Sequence, residues 1–217
     1  MDFLNNLDPN IINELQINRK KYQELMMHYE CAMIEVKTKL DVLNKELSMF
    51  EERNSFDSVL SRLKSPESIY NKLQKFGYSF NVENIEKYIE DVAGIRVICS
   101  FQDDIYNIAK YLCDQDDVKV VLIKDYIREP KDNGYRSFHL VLSVPIFLSN
   151  QKKHVNIEVQ FRTIAMDFWA SLEHKMKYKK DIENIKEITT ELKDCADLIT
   201  EIDIRMNRIK DRIVGKE

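Results

Sequence analysis

Two stretches of seven-residue patterning, one toward each end of the chain, constrain its fold more than any other feature. From Tyr22, apolar side chains recur at Met26, Tyr29, Met33, Val36, Leu40, Leu43, Leu47 and Phe50, in alternating steps of four and three. The same rhythm runs later through Ile185, Ile188, Leu192, Cys195, Ile199, Ile202, Met206, Ile209 and Ile213. Such steps return a side chain to one face of an α-helix, so both stretches are predicted to be long amphipathic helices. Each seam would run about 40 Å at the helical rise. A narrow apolar stripe of that length needs an apolar partner. Two arrangements meet the need and do not exclude each other. The helices pack on one another, equal length favouring an antiparallel or bundled pairing, and on the segment between them. They also form an interface between copies of the chain.

Between the seams the period changes. Ser65-Pro66 opens a predicted helix over 66–76, closed by Gly77, and a short helix is expected over 82–91. A strand rich in β-branched residues is predicted over 95–101, a helix over 103–114 and a second strand over 118–127. After a loop at 130–134, strands at 136–144 and 154–162 form a hairpin through the polar residues 149–152. A helix over 163–178 follows. Strands alternating with helices imply the α/β class, and the hairpin makes the sheet mixed rather than all parallel. The expected fold is a mixed β-sheet flanked by helices, with long N- and C-terminal amphipathic helices. The expected organisation is a helical region over 1–54, an α/β domain over 55–180 and a C-terminal helix over 181–217.

Composition removes several function classes. Among 217 residues the net charge is −4, which argues against a chain whose main task is coating nucleic acid. No apolar stretch approaches the ~20 residues of a membrane helix. The opening residues, Met1 to Asn10, lack the basic and apolar parts of a secretion signal, so a cytoplasmic location is expected. Cys31, Cys99, Cys113 and Cys195 form no CxxC pair and are expected to be buried free thiols.

The most informative strand is the last. Val155, Ile157, Val159 and Phe161 share one face, and Asn156, Glu158, Gln160 and Arg162 share the other. A solvated edge strand has the same pattern; so does a sheet presenting a carboxylate for Mg²⁺ beside an arginine for phosphate. Asp91, at a helix–strand junction before Gly94 and Arg96, is either a turn residue or a second carboxylate ligand. Arg62, Lys64, Ser68 and Lys72 gather around a helix start, where free N–H groups favour anions. Lys124 to Ser137 is basic and aromatic, with Tyr135 after Gly134 able to present its ring to a base. His139 follows, as suited to packing as to ligand contact.

At these residues the sequence resembles the synthetase domain of the RelA/SpoT family, and in particular its stand-alone small alarmone synthetases. The matching runs are Arg62 to Ile69, Asp91 to Arg96, Asp125 to Ile127, Lys131 to Ser137 with His139, Glu158 to Thr163, and Phe168 to His174. Together they span about residues 56–180 in order, and several independent motifs in order are far more specific than any one. The resemblance implies a sheet related to that of nucleotidyltransferases. It also implies transfer of the β,γ-pyrophosphate of ATP to the 3′-hydroxyl of GDP, GTP or GMP. Carried over by position, Arg62 and Arg96 would sandwich adenine, and Lys64, Ser68 and Lys72 would hold the ATP phosphates. Asp91 and Glu158 would be catalytic and bind Mg²⁺, or Mn²⁺ in its place. Tyr135 would stack on guanine. Lys124, Lys131 and His139 would contact the acceptor nucleotide, supported by Gln160 and Arg162. The partners implied are ATP, the guanine nucleotide and further copies of the chain, a tetramer being the expected assembly; RNA binding is not predicted. The alternative is a nucleotide- or RNA-binding regulator with a degenerate nucleotidyltransferase-like site.

Three positions depart from the family pattern. Lys124 stands where Arg is common, Asp167 where product-stimulated relatives carry Asn, and Asp41 where a base would suit an alarmone. The two acids imply weak or absent stimulation by added pppGpp.

Overall fold

The computed structural model describes residues 19–51, 54–177 and 184–215. The side chains of Phe50 and Ile185, which end and begin the two predicted seams, lie outside the described residues, as does position 178.

Helix α1, Arg19–Glu51, carries the first seam. Strand β1, Phe56–Leu63, leads to helix α2, Pro66–Lys75, and helix α3, Val82–Tyr88. Strand β2, Ala93–Cys99, is followed by helix α4, Gln102–Cys113, and strand β3, Lys119–Asp125. Strands β4, Phe138–Phe147, and β5, Lys152–Thr163, form the expected hairpin, and helices α5, Ile164–Lys177, and α6, Ile185–Val214, complete the chain. The five strands are ordered β1-β2-β5-β4-β3. Only β2 and β5 run parallel, so the sheet is mixed.

One face of the sheet is apolar and covered. Ile95, Val97, Leu140, Leu142, Val155, Ile157, Val159 and Phe161 are buried, and α1 lies across these strands with α4 beside it. The face of α1 that packs here is Leu25, Tyr29, Ala32, Val36, Leu40 and Leu43, all buried. Burying a side chain of this size contributes about 1.5–3 kcal/mol, against about 1 kcal/mol or less for an exposed ion pair. The seam therefore decides where α1 sits.

The two long helices do not form the expected antiparallel or bundled pair. The sheet is the principal partner of α1, whereas α6 packs on α5 and α4. Trp169, Ala170 and Ala196 make a small second core there, with Tyr135, Leu192 and Ile199 against it. A flat sheet face is the larger apolar surface, and it takes the longer buried stripe.

Strand β1 was not foreseen, and it moves Arg62 from a helix start to a strand end. It pairs antiparallel with β2 as an edge strand, and its register is irregular between Phe56 and Ser58. That irregularity breaks the alternation by which a strand is recognised. The predicted 82–91 helix stops at Tyr88, because Ile89 already adopts an extended backbone. Cys99 is buried as expected, Cys31 and Cys113 are half-buried, and Cys195 is exposed on α6.

Candidate active site

The other face of the sheet carries the chemistry, and strand register assembles it. Arg96 pairs with Gln160, Gln160 with His139, and His139 with Lys124. Paired residues point to the same side, so these four form one row across four strands. The neighbouring row holds Arg62, Gly94 and Glu158, which pair in that order. Seven polar or glycine positions thus face one space.

Two cavities open there. The smaller, about 220 Å³, is lined by Arg62, Gly94 and Arg96 together with Asp91, Glu158 and Gln160. The larger, about 700 Å³, is lined by Lys124, Lys131, Tyr135 and His139, again with Asp91, Glu158 and Gln160. Asp91 and Glu158 therefore share one space, at the junction of the cavities, and their charges repel.

Asp91 is placed by the turn between α3 and β2. Lys64 Nζ donates to its Oδ2 at 2.7 Å and Lys72 Nζ to its Oδ1 at 2.8 Å. Burial raises the Asp91 carboxyl, but the two lysines outweigh it and hold the group below the usual range. Lys64 is fixed from the main chain by its N–H donating to Val92 O at 2.8 Å. Lys72 sits on α2, whose start is capped by the Ser65 hydroxyl accepting from Ser68 N at 3.2 Å. The Ser65 hydroxyl also donates to Ser68 Oγ at 2.8 Å.

Glu158 belongs to a closed ring of hydrogen bonds. Arg162 Nη2 donates to Tyr135 Oη at 2.8 Å, and Tyr135 Oη lies 3.0 Å from His139 Nε2. A phenol that accepts from arginine has its own proton for His139, which leaves the proton of neutral His139 on Nδ1. Nδ1 is 3.1 Å from Glu158 Oε1. Gln160 Nε2 donates to Glu158 Oε2 at 2.6 Å, and Gln160 Oε1 accepts from Arg162 Nη2 at 3.2 Å. Burial pushes the Glu158 carboxyl up, yet His139 and Gln160 outweigh it and keep it below its usual range. Both carboxylates are thus held ionised, as a metal ligand or a proton acceptor requires.

The loop before β4 is tied down from both ends. Asp125 accepts from Ile127 N at 3.0 Å, Arg128 N at 3.1 Å and the Tyr106 hydroxyl at 3.2 Å, so the Asp-Tyr-Ile motif shapes a turn. Asn133 Nδ2 donates to Glu173 Oε1 at 2.9 Å, anchoring the loop to α5. Gly134 has φ +85° and packs against α6, where an added Cβ would lie 2.6 Å from Ala196 Cβ. Lys131 Nζ stands 4.6 Å from the centre of the Tyr126 ring and 4.8 Å from that of Tyr135.

The candidate site residues lie on this face or at its rim, whereas Asp41 is on α1, across the sheet. Lys124 Nζ is 3.6 Å from Glu90, and Lys64, Ser68, Lys72 and Arg162 stand outside the residues that line the two cavities. Sequence reasoning missed Tyr126, Asn133, Glu173 and Thr189, which line the larger cavity. The first three stand inside the recognised motifs and could have been added. Thr189 is on α6 and carries no local signal.

Residues 61–183 match the family described as the region found in RelA / SpoT proteins. GTP pyrophosphokinase YwaC of Bacillus subtilis is 39% identical over 202 residues, covering 93% of this chain and 96% of that protein. The crystal structure of small alarmone synthetase 2 from Bacillus subtilis superposes with a TM-score of 0.77 at 41% identity, over 88% of this chain and 98% of that one. Small alarmone synthetase 1 from the same organism, bound to its product pppGpp, gives a TM-score of 0.80 at 33% identity, over 90% and 99%.

Proposed function

This chain belongs to the RelA/SpoT family, and from that premise we propose that it is a (p)ppGpp synthetase of stringent-response signalling. It transfers the β,γ-pyrophosphate of ATP to the 3′-hydroxyl of GDP or GTP, with GMP a third candidate acceptor, and releases AMP. One observation carries the reading: two hollows meet at a shared pair of carboxylates, Asp91 and Glu158. Each hollow has the lining its nucleotide needs. Arg62 and Arg96 flank the smaller across the open floor of Gly94. Tyr135, Lys131, Lys124 and His139 line the larger.

The donor set fits a hard divalent ion. Two carboxylates border one space, and among the described residues no third acid, His or Cys joins them in a metal-holding group. Mg²⁺ takes one or two carboxylates and leaves its remaining positions to water and substrate phosphates. Asp91 and Glu158 would hold it, or Mn²⁺, and the ion would supply neutralisation of the charge growing on the phosphate oxygens.

The residues themselves account for the rest. Lys64 and Lys72 exchange the Asp91 carboxylate for the ATP phosphates as these arrive. Guanine stacking on Tyr135 takes the place now held by the Lys131 ammonium, releasing that charge toward the acceptor phosphates. The 3′-oxygen attacks the β-phosphorus as the bond from that phosphorus to the bridging oxygen breaks, and AMP departs with the bridging oxygen. Glu158 takes the hydroxyl proton, its other contacts to His139 and Gln160 keeping the carboxylate aimed. In-line positioning supplies most of the acceleration.

The chain acts in the cytoplasm; no described helix is long and apolar enough to cross a membrane. It assembles as a homo-oligomer, a tetramer, through α6. Leu198, Ile202, Met206, Ile209 and Ile213 form an apolar stripe on that helix that is 46% to 80% exposed in the single chain. Stripes of this size mark association surfaces.

Labelled ATP mixed separately with GMP, GDP and GTP tests the reaction. Labelled guanosine products together with AMP support it, and binding of nucleotide without any product favours the degenerate regulator. Glu158→Gln should lower turnover about a hundredfold or more with the melting temperature kept. A variant retaining near-normal rate removes Glu158 from the chemistry.

A further inference from the structure

Arg96 and Arg162 face each other across the first turn of α5, with Arg62 nearby, and like charges this close repel. Asp167, in that first turn, offsets the repulsion. Its Oδ1 is 3.2 Å from Arg96 Nη1 and 2.9 Å from Arg162 Nη1, so one oxygen serves both guanidinium groups. The helix start is itself fixed by Met166 N donating to the Thr163 hydroxyl at 3.1 Å. Asp167 is one-fifth exposed, Arg162 only 6% and Arg96 29%, so water screens the Arg162 pair little and the Arg96 pair in part.

The two arginines depend on Asp167 unequally. Arg162 has two further bonds, to Tyr135 Oη and Gln160 Oε1. The ion pair to Asp167 is the only side-chain polar contact of Arg96 among the described residues. The Nε atoms of both arginines are buried without a hydrogen-bond partner among the described residues, so the difference lies in the terminal nitrogens. A half-buried guanidinium on a four-bond stem has many rotamers, and a single anchor selects among them.

We propose that Asp167 is a positioning residue for ATP: its carboxylate sets Arg96 against the adenine-side cavity, bracing it on Arg162 and hence on the ring that holds Glu158. The role rests on the pyrophosphate-transfer reading for its substrate, but it is stated of ATP binding and is measurable without turnover. Asparagine keeps an acceptor oxygen, but it removes the charge and can turn an NH₂ group toward two cations.

A binding cycle decides the matter. Titration calorimetry with a non-hydrolysable ATP analogue is run on the wild type, Asp167→Asn, Arg96→Ala and the double variant, each with a thermal melt. Asp167→Asn is expected to weaken ATP about tenfold, the scale of one lost charge-assisted bond. Because Asp167 acts through Arg96, the double variant should bind no more weakly than Arg96→Ala alone. Asp167→Glu should restore part of the affinity, by keeping the charge. In steady state, KM for ATP should rise while KM for the guanine nucleotide stays within about threefold, since Arg162 keeps its other partners. Additive losses in the cycle, unchanged ATP affinity in Asp167→Asn, or both KM values rising together would overturn the proposal. A wild type that binds ATP but forms no product would refute the pyrophosphate-transfer reading and leave the binding cycle to judge Asp167.

Discussion

At the scale of single residues, the site is a balance of charges arranged before any nucleotide is present. Asp91 is held by two lysines and Glu158 by a histidine and a glutamine, and both carboxyls lie below their ordinary range despite burial. A depressed folded value means that each group stabilises the fold above its unfolded value, about 4, and that this contribution is lost as pH falls through the lower folded value. Urea unfolding of the wild type and Asp91→Asn should therefore show a difference that is constant near neutrality and shrinks on acidification below about pH 4. A difference that grows in acid contradicts the assignment. Gly94 makes a second test. An added Cβ there would meet only Arg62 O, at 3.9 Å, so a side chain fits the strand but projects between Arg62 and Arg96. Gly94→Val should raise KM for ATP about tenfold or more with an unchanged melting temperature. The identities of Asp91, Glu158, Arg62, Arg96 and Tyr135 were readable from motifs. The closed ring through Tyr135, His139 and Glu158 was not, because it depends on side chains of two strands and a loop meeting at hydrogen-bond distance.

At the scale of elements, periodicity was a sound guide wherever one face of an element is buried. The helix beginning after Ser65, the hairpin of β4 and β5 and the apolar face of β5 all follow from it. It failed at β1, where an edge position and an irregular register erase the alternation. It foresaw the two long helices and their packing on the segment between them but not that they pack apart from each other, since a heptad stripe states that a partner exists and not which one. The contact between Gly134 and α6 shows what only packing reveals. Gly134→Ala meets both a positive φ and the Ala196 side chain, so it should cost about 1–3 kcal/mol in denaturant unfolding and raise KM for the acceptor. Measured against Ala196→Gly alone, since a glycine weakens α6 by itself, adding Ala196→Gly should recover only the Ala196 part and leave the parts due to φ and to Lys193 Cα, 3.1 Å away. Full recovery would show that the backbone conformation carries no strain.

At the scale of the whole molecule, the covered face of the sheet holds the fold together, and the open face carries the candidate site. The C-terminal helix belongs to both. Its inner side supports the Asn133–Arg136 loop, with Arg136 Nη2 donating to Asp197 at 3.0 Å, while its outer side is an unpaired apolar stripe. Ile202→Glu should lower the mass measured by light scattering and leave the far-ultraviolet spectrum unchanged. An unaltered mass would remove α6 from the proposed assembly. Amino-acid order alone determined the α/β class, the two long helices and the residue types of a pyrophosphate-transfer site, because periodicity and short motifs are local properties of a chain. Tertiary structure decided that α1 takes the sheet and α6 does not, that Arg62 lies on a strand, and that Asp167 turns inward between two arginines. Those outcomes depend on which distant surfaces compete for the same partner, and a linear sequence carries no record of that competition.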